Sequence, residues 1–345
     1  DYVIAPSFLV DLSPFALWGP LSSVYRHNFG TLSMKLIFIS KEDRAEDWRE
    51  HILTQIPEIE FLIWPDDQKH CDLTEIDYAI AWKPPEGVLK KLTGLKFIQS
   101  LGAGVDGILQ DPEIPHHVPI SRMVDRSLIQ GMTEYLLYNV LHYHRKMDEY
   151  AAQQVLGSWK ALQQIDPRKR RVGIMGLGEL GRDIANKLLS LEFNVAAWSR
   201  SFKNVAGVTS FHGEAGLDEF LGRTEILICL LPLTPITRGI INAANLTKLP
   251  KGAVVINCAR GGHVIDSDLL MALDTGHIGG ACLDVFNEEP LSTEHPYWTH
   301  PLVRITPHTA SLTAPHSAAQ YVAENIRRVE QGEPPLNIVD MEAGY

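Results

Sequence analysis

The chain has 345 residues, of which 45% are hydrophobic, and a formal net charge of -11. That length accommodates two domains with substantial cores, and the composition excludes a disordered or fibrous chain. The acidic balance gives no general electrostatic attraction to nucleic acid, which is therefore not an expected partner.

The first 33 residues stand apart. Their apolar-rich stretch, residues 2–21, is interrupted by Pro6, Asp11, Pro14 and Pro20 and follows no basic region. It reads neither as a transmembrane helix nor as a secretory signal, so a membrane is not expected as a partner either. KLIFIS at 35–40 reads as the first strand, which makes Met34 a candidate start and residues 1–33 an extension or a processing remnant. From there, strand-like runs at 36–39, 60–64, 78–81 and 97–100, with a short one at 119–122, are separated by segments long enough for crossovers. A helix expected at 133–143 carries the chain into a second lobe.

The second lobe has the clearer rhythm. Apolar runs at 172–175, 194–198, 226–230, 254–257 and 280–285 alternate with helical or turn-rich segments, as in a doubly wound parallel sheet. An amphipathic helix expected at 317–330 returns to the first lobe. The fold class is therefore α/β, with two Rossmann-like domains around a cleft. The substrate domain is discontinuous (34–137 and 317–345), and the dinucleotide-binding domain spans 138–316. Cys71, Cys229, Cys258 and Cys282 lack metal-ligand spacing and read as reduced residues, so no metal is expected.

Within RVGIMGLGELG at 171–181, a GxGxxG pattern follows an apolar strand and opens a helix. Gly176 permits the tight turn, Gly178 lets main-chain amides approach a pyrophosphate, and Gly181 lets helix and strand pack closely. Leu177, Glu179 and Leu180 complete the turn, and the helix starting near Glu179 points its positive end at the phosphates. Val172, Ile174 and Met175 read as a buried strand, and Ile184, Ala185, Leu188 and Leu191 as one helical stripe. The plain alternative is a glycine-rich turn without a ligand.

Three polar residues each follow a strand-like segment: Arg260 in NCARGG, Glu289 in DVFNEEP and His308 in ITPHTA. Such positions converge at the carboxyl edge of a parallel sheet. Arg260 offers a planar charged fork for a carboxylate, His308 exchanges a proton near neutral pH, and Glu289 orients and positively biases that imidazole. Together they suit carbonyl reduction beside a nicotinamide. Singly, each has a plainer role as a turn cap, a solvated helix-start residue or a polar loop residue, and Glu288 competes with Glu289.

LGAGVD at 101–106, GxGxxG at 176–181, LPLTPITRGII at 231–241, NCARGG at 257–262, LDVFNEEP at 283–290 and TPHTA at 306–310 together resemble the D-2-hydroxyacid dehydrogenase family. The resemblance covers residues 34–345. It implies that Arg260 binds substrate, that Glu289 pairs with histidine and that His308 is the general acid/base. It further implies that main-chain groups of Ala103, Gly104 and Val105 hold the substrate carboxylate, that Asp284 orients the nicotinamide carboxamide, and that Leu231, Pro232, Thr237, Cys258, Ala259 and Ala310 lie along the cofactor. AWSR, NVAGV and the carboxyl-terminal context are similar to the glyoxylate/hydroxypyruvate reductase A branch. That branch implies reduction of small 2-oxoacids, glyoxylate to glycolate and hydroxypyruvate to D-glycerate.

One departure bears on the cofactor. NAD-preferring members place an acidic residue at the end of the second nucleotide-binding strand, where this chain has Ser199, followed by Arg200 and Lys203. A carboxylate would repel the additional phosphate of NADPH, whereas these side chains suit it. NADPH/NADP is the expected cofactor, with NADH/NAD the alternative. Trp159, between the substrate lobe and GxGxxG, is expected on an intersubunit arm near the active site, either limiting substrate size or filling a homodimer contact. A cytoplasmic enzyme acting on a small 2-oxoacid or 2-hydroxyacid is the resulting expectation. Its rivals are an NAD-linked D-2-hydroxyacid dehydrogenase and a non-catalytic NAD(P)-binding redox sensor or corepressor.

Overall fold

Short apolar runs bounded by turns become strands buried on both faces, which is what a parallel sheet covered by helices requires. The computed structural model describes residues 34–345, and the extension expected at residues 1–33 lies outside the described residues. In the first lobe, β1 (Lys35–Ile39), β2 (Glu60–Ile63), β3 (Tyr78–Ala81), β4 (Phe97–Ser100) and β5 (Ile120–Ser121) form a parallel sheet of order β2-β1-β3-β4-β5. The crossovers contain α1 (Ala45–Gln55), α2 (Val88–Lys91) and α3 (Asp106–Leu109).

α4 (Arg126–His144) and α5 (Met147–Val155) lead to the second lobe. α4 begins well before the expected residue 133 because Asp125 caps it, accepting a hydrogen bond from the Ser127 amide at 3.0 Å. The expected domain change at 138 thus falls inside one continuous helix. The second sheet contains β6 (Arg171–Met175), β7 (Asn194–Ser199), β8 (Thr209–His212), β9 (Ile226–Cys229), β10 (Ala253–Asn257), β11 (Ile278–Leu283) and β12 (Val303–Ile305). All pair in parallel in the order β12-β11-β10-β9-β6-β7-β8, with α6 (Glu179–Ser190), α7 (Leu217–Arg223), α8 (Ala243–Leu246) and α9 (Asp266–Asp274) in its connections. The order reverses at β6, between β7 and β9, so the crevice lies beyond the carboxyl end of the GxGxxG strand.

α10 (Pro315–Glu330) buries Ala318, Ala319, Val322, Ala323 and Ile326, at helical spacing, in the same core as Leu36, Phe38, Trp48 and Ile52 of the first lobe. The first domain is therefore discontinuous, as the amphipathic pattern predicts. Asn325, fully buried on this helix, donates to Gln99 Oε1 at 3.0 Å and accepts from the Leu336 amide at 2.7 Å. The chain after α10 is thereby tied to β4.

In α6, Ile184, Ala185 and Leu188 are buried as expected, but Leu191 is 43% exposed. The helix ends at Ser190, and Phe193 takes the core position instead. Among the described residues no helix is long and apolar enough to cross a membrane, and no group of three or more His, Cys, Asp or Glu side chains is placed to hold a metal ion. The four cysteines are free thiols, with Cys229, Cys258 and Cys282 buried.

Candidate active site

A cleft of about 1760 Å³ separates the lobes. From the second lobe it is lined by the βα turn Gly176, Leu177, Gly178, Glu179, Leu180 and Gly181, by Ser199, Arg200 and Lys203 after β7, by Leu231, Pro232 and Thr237 after β9, and by Cys258, Ala259 and Arg260 after β10. Asp284, Glu289 and His308 complete that side, and Ala103, Gly104 and Val105 face them from the first lobe.

The glycine turn is built by close approach. Gly176 has φ 101°, and a Cβ on Gly181 would lie 2.0 Å from the Gly176 carbonyl oxygen, so only hydrogen there lets α6 pack against its own strand. Gly178 is the N-cap of α6, and apart from its chain neighbours no heavy atom lies within 4 Å of where its Cβ would be. Space and helix polarity at this point fit a pyrophosphate. At the end of β7, where the acidic residue of NAD-preferring members would stand, Ser199 Oγ donates to the Ser201 carbonyl at 2.8 Å, and Arg200 beside it is exposed. Thr237 lines the cleft, but its hydroxyl donates to the Pro232 carbonyl at 2.6 Å, so its polar atom shapes the loop.

His308 Nδ1 lies 2.9 Å from Glu289 Oε2, and it is Glu289, not Glu288, that makes this bond. Glu289 Oε1 accepts from the Phe286 amide at 3.1 Å. Burial pushes the Glu289 carboxyl upward, but the hydrogen bonds from His308 and Phe286 and the positive charges of His308 and Lys83 outweigh it and hold the group below the usual glutamate range. Occupation of Nδ1 leaves Nε2 as the ring nitrogen for proton transfer. The His308 backbone is left-handed, with φ 54°, a conformation fixed by its amide donating to the Asp284 carbonyl at 2.8 Å.

Asp284 is 1% exposed and accepts from Thr306 Oγ1 at 2.5 Å, the Thr309 amide at 2.8 Å and the Ala310 amide at 2.9 Å. Its carboxylate therefore clamps the histidine loop as well as lining the cleft. On the same loop the Ala310 amide is held by Asp284, and its side chain joins the nucleotide-domain core.

Arg260 Nε donates to Asp106 Oδ1 at 2.8 Å and Oδ2 at 3.0 Å, and Nη1 to the Ala259 carbonyl at 2.7 Å. Nη2 remains, packed so closely on Gly104 that a Cβ there would lie 1.8 Å from it. The guanidinium carbon lies 5.7 Å from the Trp82 ring centroid, within cation–π reach. Asp106, Trp82, Lys83 and Glu42 also line the cleft and were not expected as site residues. Trp82 Nε1 donates to Glu42 Oε2 at 2.9 Å, while Lys83 Nζ lies 3.0 Å from Glu42 Oε1 and 3.7 Å from Glu289 Oε2. Asp106 closes the LGAGVD motif, but its pairing with an arginine 154 residues away carries no local signal.

Trp159 is fully exposed in the chain segment after α5 and lies away from the cleft of its own chain. Non-helical backbone after Val155 carries it out of contact with the packed lobes.

The family profile described as D-isomer specific 2-hydroxyacid dehydrogenase, NAD binding domain, matches residues 137–310. The glyoxylate/hydroxypyruvate reductase A of Photorhabdus laumondii is 43% identical over 318 residues, which cover 90% of this chain and 100% of the relative. A D-isomer specific 2-hydroxyacid dehydrogenase from Xanthobacter autotrophicus Py2, solved with NADPH and MES, has a TM-score of 0.87 and 41% identity, covering 91% of this chain and 100% of that one. The NADPH-dependent glyoxylate/hydroxypyruvate reductase of Sinorhizobium meliloti, solved with NADP and sulfate, has a TM-score of 0.85 and 40% identity, covering 90% and 100%. With the glycine turn, the arginine and the histidine–glutamate pair facing one cleft, the chain belongs to the D-isomer specific 2-hydroxyacid dehydrogenase family.

Proposed function

We propose that this protein reduces small 2-oxoacids with NADPH, converting glyoxylate to glycolate and hydroxypyruvate to D-glycerate. The observation that carries the reading is the convergence, in one cleft, of the Arg260 guanidinium, the His308–Glu289 pair and a nucleotide turn followed by Ser199, Arg200 and Lys203. Similarity to proteins named glyoxylate/hydroxypyruvate reductase, and to relatives solved with NADPH or NADP, supports it.

The turn at 176–181 would hold the pyrophosphate, and Arg200 and Lys203 the 2′-phosphate. When bound, the nicotinamide supplies the hydride that reduces the substrate carbonyl. Arg260 Nη2, with main-chain groups of Ala103, Gly104 and Val105, binds and orients the carboxylate. His308 donates the Nε2 proton to the developing alkoxide, and Glu289 stabilises the imidazolium from the far side of the ring. Asp106 holds Arg260, and Asp284 holds the histidine loop, so neither donor needs to reorganise during the reaction. A homodimer is part of this reading: Val155, Leu156 and Trp159 form an exposed apolar arm in the single chain.

Purified protein is expected to turn over glyoxylate and hydroxypyruvate faster with NADPH than with NADH, and no turnover with either acid would overturn the reading. Arg200→Ala is expected to weaken NADPH use selectively. One partly exposed charge-assisted contact contributes about 1 to 2 kcal/mol, a change in preference of about 5-fold to 30-fold. Equal losses in kcat/KM with both cofactors, retained in the Arg200→Ala, Lys203→Ala double variant, would remove the phosphate-binding assignment.

A further inference from the structure

We infer that Tyr345 is a positioning residue for cofactor selectivity, holding Arg200 so that the edge of its guanidinium faces the adenosine phosphate. The inference rests on the NADPH reading above. It starts from the route of the chain after α10. Ile338 forms an antiparallel bridge with Ser121 on β5, and the Val339 amide donates to the Ile120 carbonyl at 2.8 Å with the Val339 side chain buried. The segment is thus fixed to the edge strand of the first lobe.

Residues 340–345 then close on themselves. Asp340 Oδ1 accepts from the Glu342 amide at 3.0 Å and the Ala343 amide at 2.9 Å. Its carbonyl accepts from the Gly344 amide at 2.8 Å, and its own amide donates to the Tyr345 carbonyl at 3.0 Å. Gly344 takes φ 79°, the left-handed turn that lets the loop close. Glu342, Ala343, Gly344 and Tyr345 line the same cleft as the glycine turn, and the Tyr345 ring centroid lies 5.1 Å from the Arg200 guanidinium carbon.

A residue anchored to one lobe therefore touches the cation at the end of β7 in the other. That contact matters because of how arginine binds. Stacking uses the face of the guanidinium and leaves the N–H groups at its edge, which are the groups that pair with phosphate oxygens. An exposed arginine otherwise samples many rotamers and loses that freedom on binding, whereas one already held by a ring loses less. The ring selects for the 2′-phosphate indirectly, through Arg200, and has no reason to alter hydride or proton transfer.

The test measures Kd for NADPH and NADH by nicotinamide fluorescence in wild type, Tyr345→Ala, Tyr345→Phe, Arg200→Ala and the Arg200→Ala, Tyr345→Ala double variant. Tyr345→Ala is expected to weaken NADPH by about 3-fold to 10-fold, the range of an exposed to partly desolvated cation–π contact, with NADH changed by less than about 2-fold. Tyr345→Phe, which keeps the ring, should retain wild-type selectivity, and Tyr345→Ala should add nothing once Arg200 is gone. The kcat at saturating NADPH should be unchanged. An unaltered selectivity ratio in Tyr345→Ala, in a wild type that prefers NADPH, overturns the role of Tyr345 and leaves the NADPH reading standing. Equal weakening of both cofactors assigns the ring to the shared adenosine instead and also overturns the inference. A wild type that binds the two cofactors equally overturns the NADPH reading itself.

Discussion

Replacing His308 by Gln is expected to lower reduction of glyoxylate and hydroxypyruvate by about 10²-fold to 10⁴-fold, with NADPH affinity nearly unchanged. Gln can still meet Glu289 and keep the loop polar, but it has no proton to give at the position of Nε2. The backbone at this position is left-handed, and Asn adopts that region more readily than Gln. His308→Asn therefore serves as a second variant that relieves conformational strain without restoring a proton donor. If the two variants share the defect and the wild-type melting temperature, the loss is chemical. Near-normal turnover by a folded His308→Gln protein from pH 5 to 9 would remove the general-acid role.

The partner residue gives the sign of the pH effect. Glu289 is held below the usual glutamate range, so it remains a carboxylate through mildly acidic conditions and loses its charge only as pH falls through that lowered value. Glu289→Gln keeps a hydrogen-bonding group but removes that charge, so kcat/KM should be reduced across the range and should lack the acidic fall that the wild type shows as Glu289 is protonated. A Glu289→Gln profile that keeps the wild-type acidic fall would show that the charge of Glu289 is not what activity depends on.

The strands that build the central part of each sheet were legible because they are buried on both faces and read as unbroken apolar runs. The edge strands β8 and β12 were not. Thr209–His212 and Val303–Ile305 are only partly buried, and their polar and cationic residues leave no apolar run to detect. The glycine turn, Arg260, Glu289 and His308 were legible for a different reason: each follows a strand, and the strands of a parallel sheet end at one edge. What crosses between lobes was hidden. Asp106 on Arg260, Lys83 beside Glu289 and Tyr345 on Arg200 depend on how two domains face each other, which no periodicity along the chain encodes. Ala310 shows the converse case. It lies in a legible motif, yet the motif uses its amide to hold the histidine loop and sends its side chain into the core.

Arg260→Lys is expected to reduce kcat/KM for both acids by at least about 10²-fold while NADPH binding stays within about 3-fold of wild type. The positive charge is retained, so attraction of the carboxylate alone would predict a mild effect. The geometry argues otherwise, because the guanidinium meets Asp106 through Nε and the Ala259 carbonyl through Nη1, lies within cation–π reach of the Trp82 ring, and still leaves Nη2 over Gly104 for substrate. A lysine ammonium is a single point with three donors, and the Asp106 carboxylate draws it away from the substrate position. The substrate would then bind without a fixed angle between its carbonyl and the donor groups, a defect that falls on catalysis more than on cofactor affinity. A purely structural role for Arg260, as a clamp between the β10 turn and the first lobe, predicts a different pattern: a lowered melting temperature and broadly weakened cofactor binding. Steady-state kinetics, direct NADPH titration and thermal unfolding on the same preparation separate the two. Wild-type efficiency toward both glyoxylate and hydroxypyruvate in a stable Arg260→Lys protein would reject the substrate-orienting role.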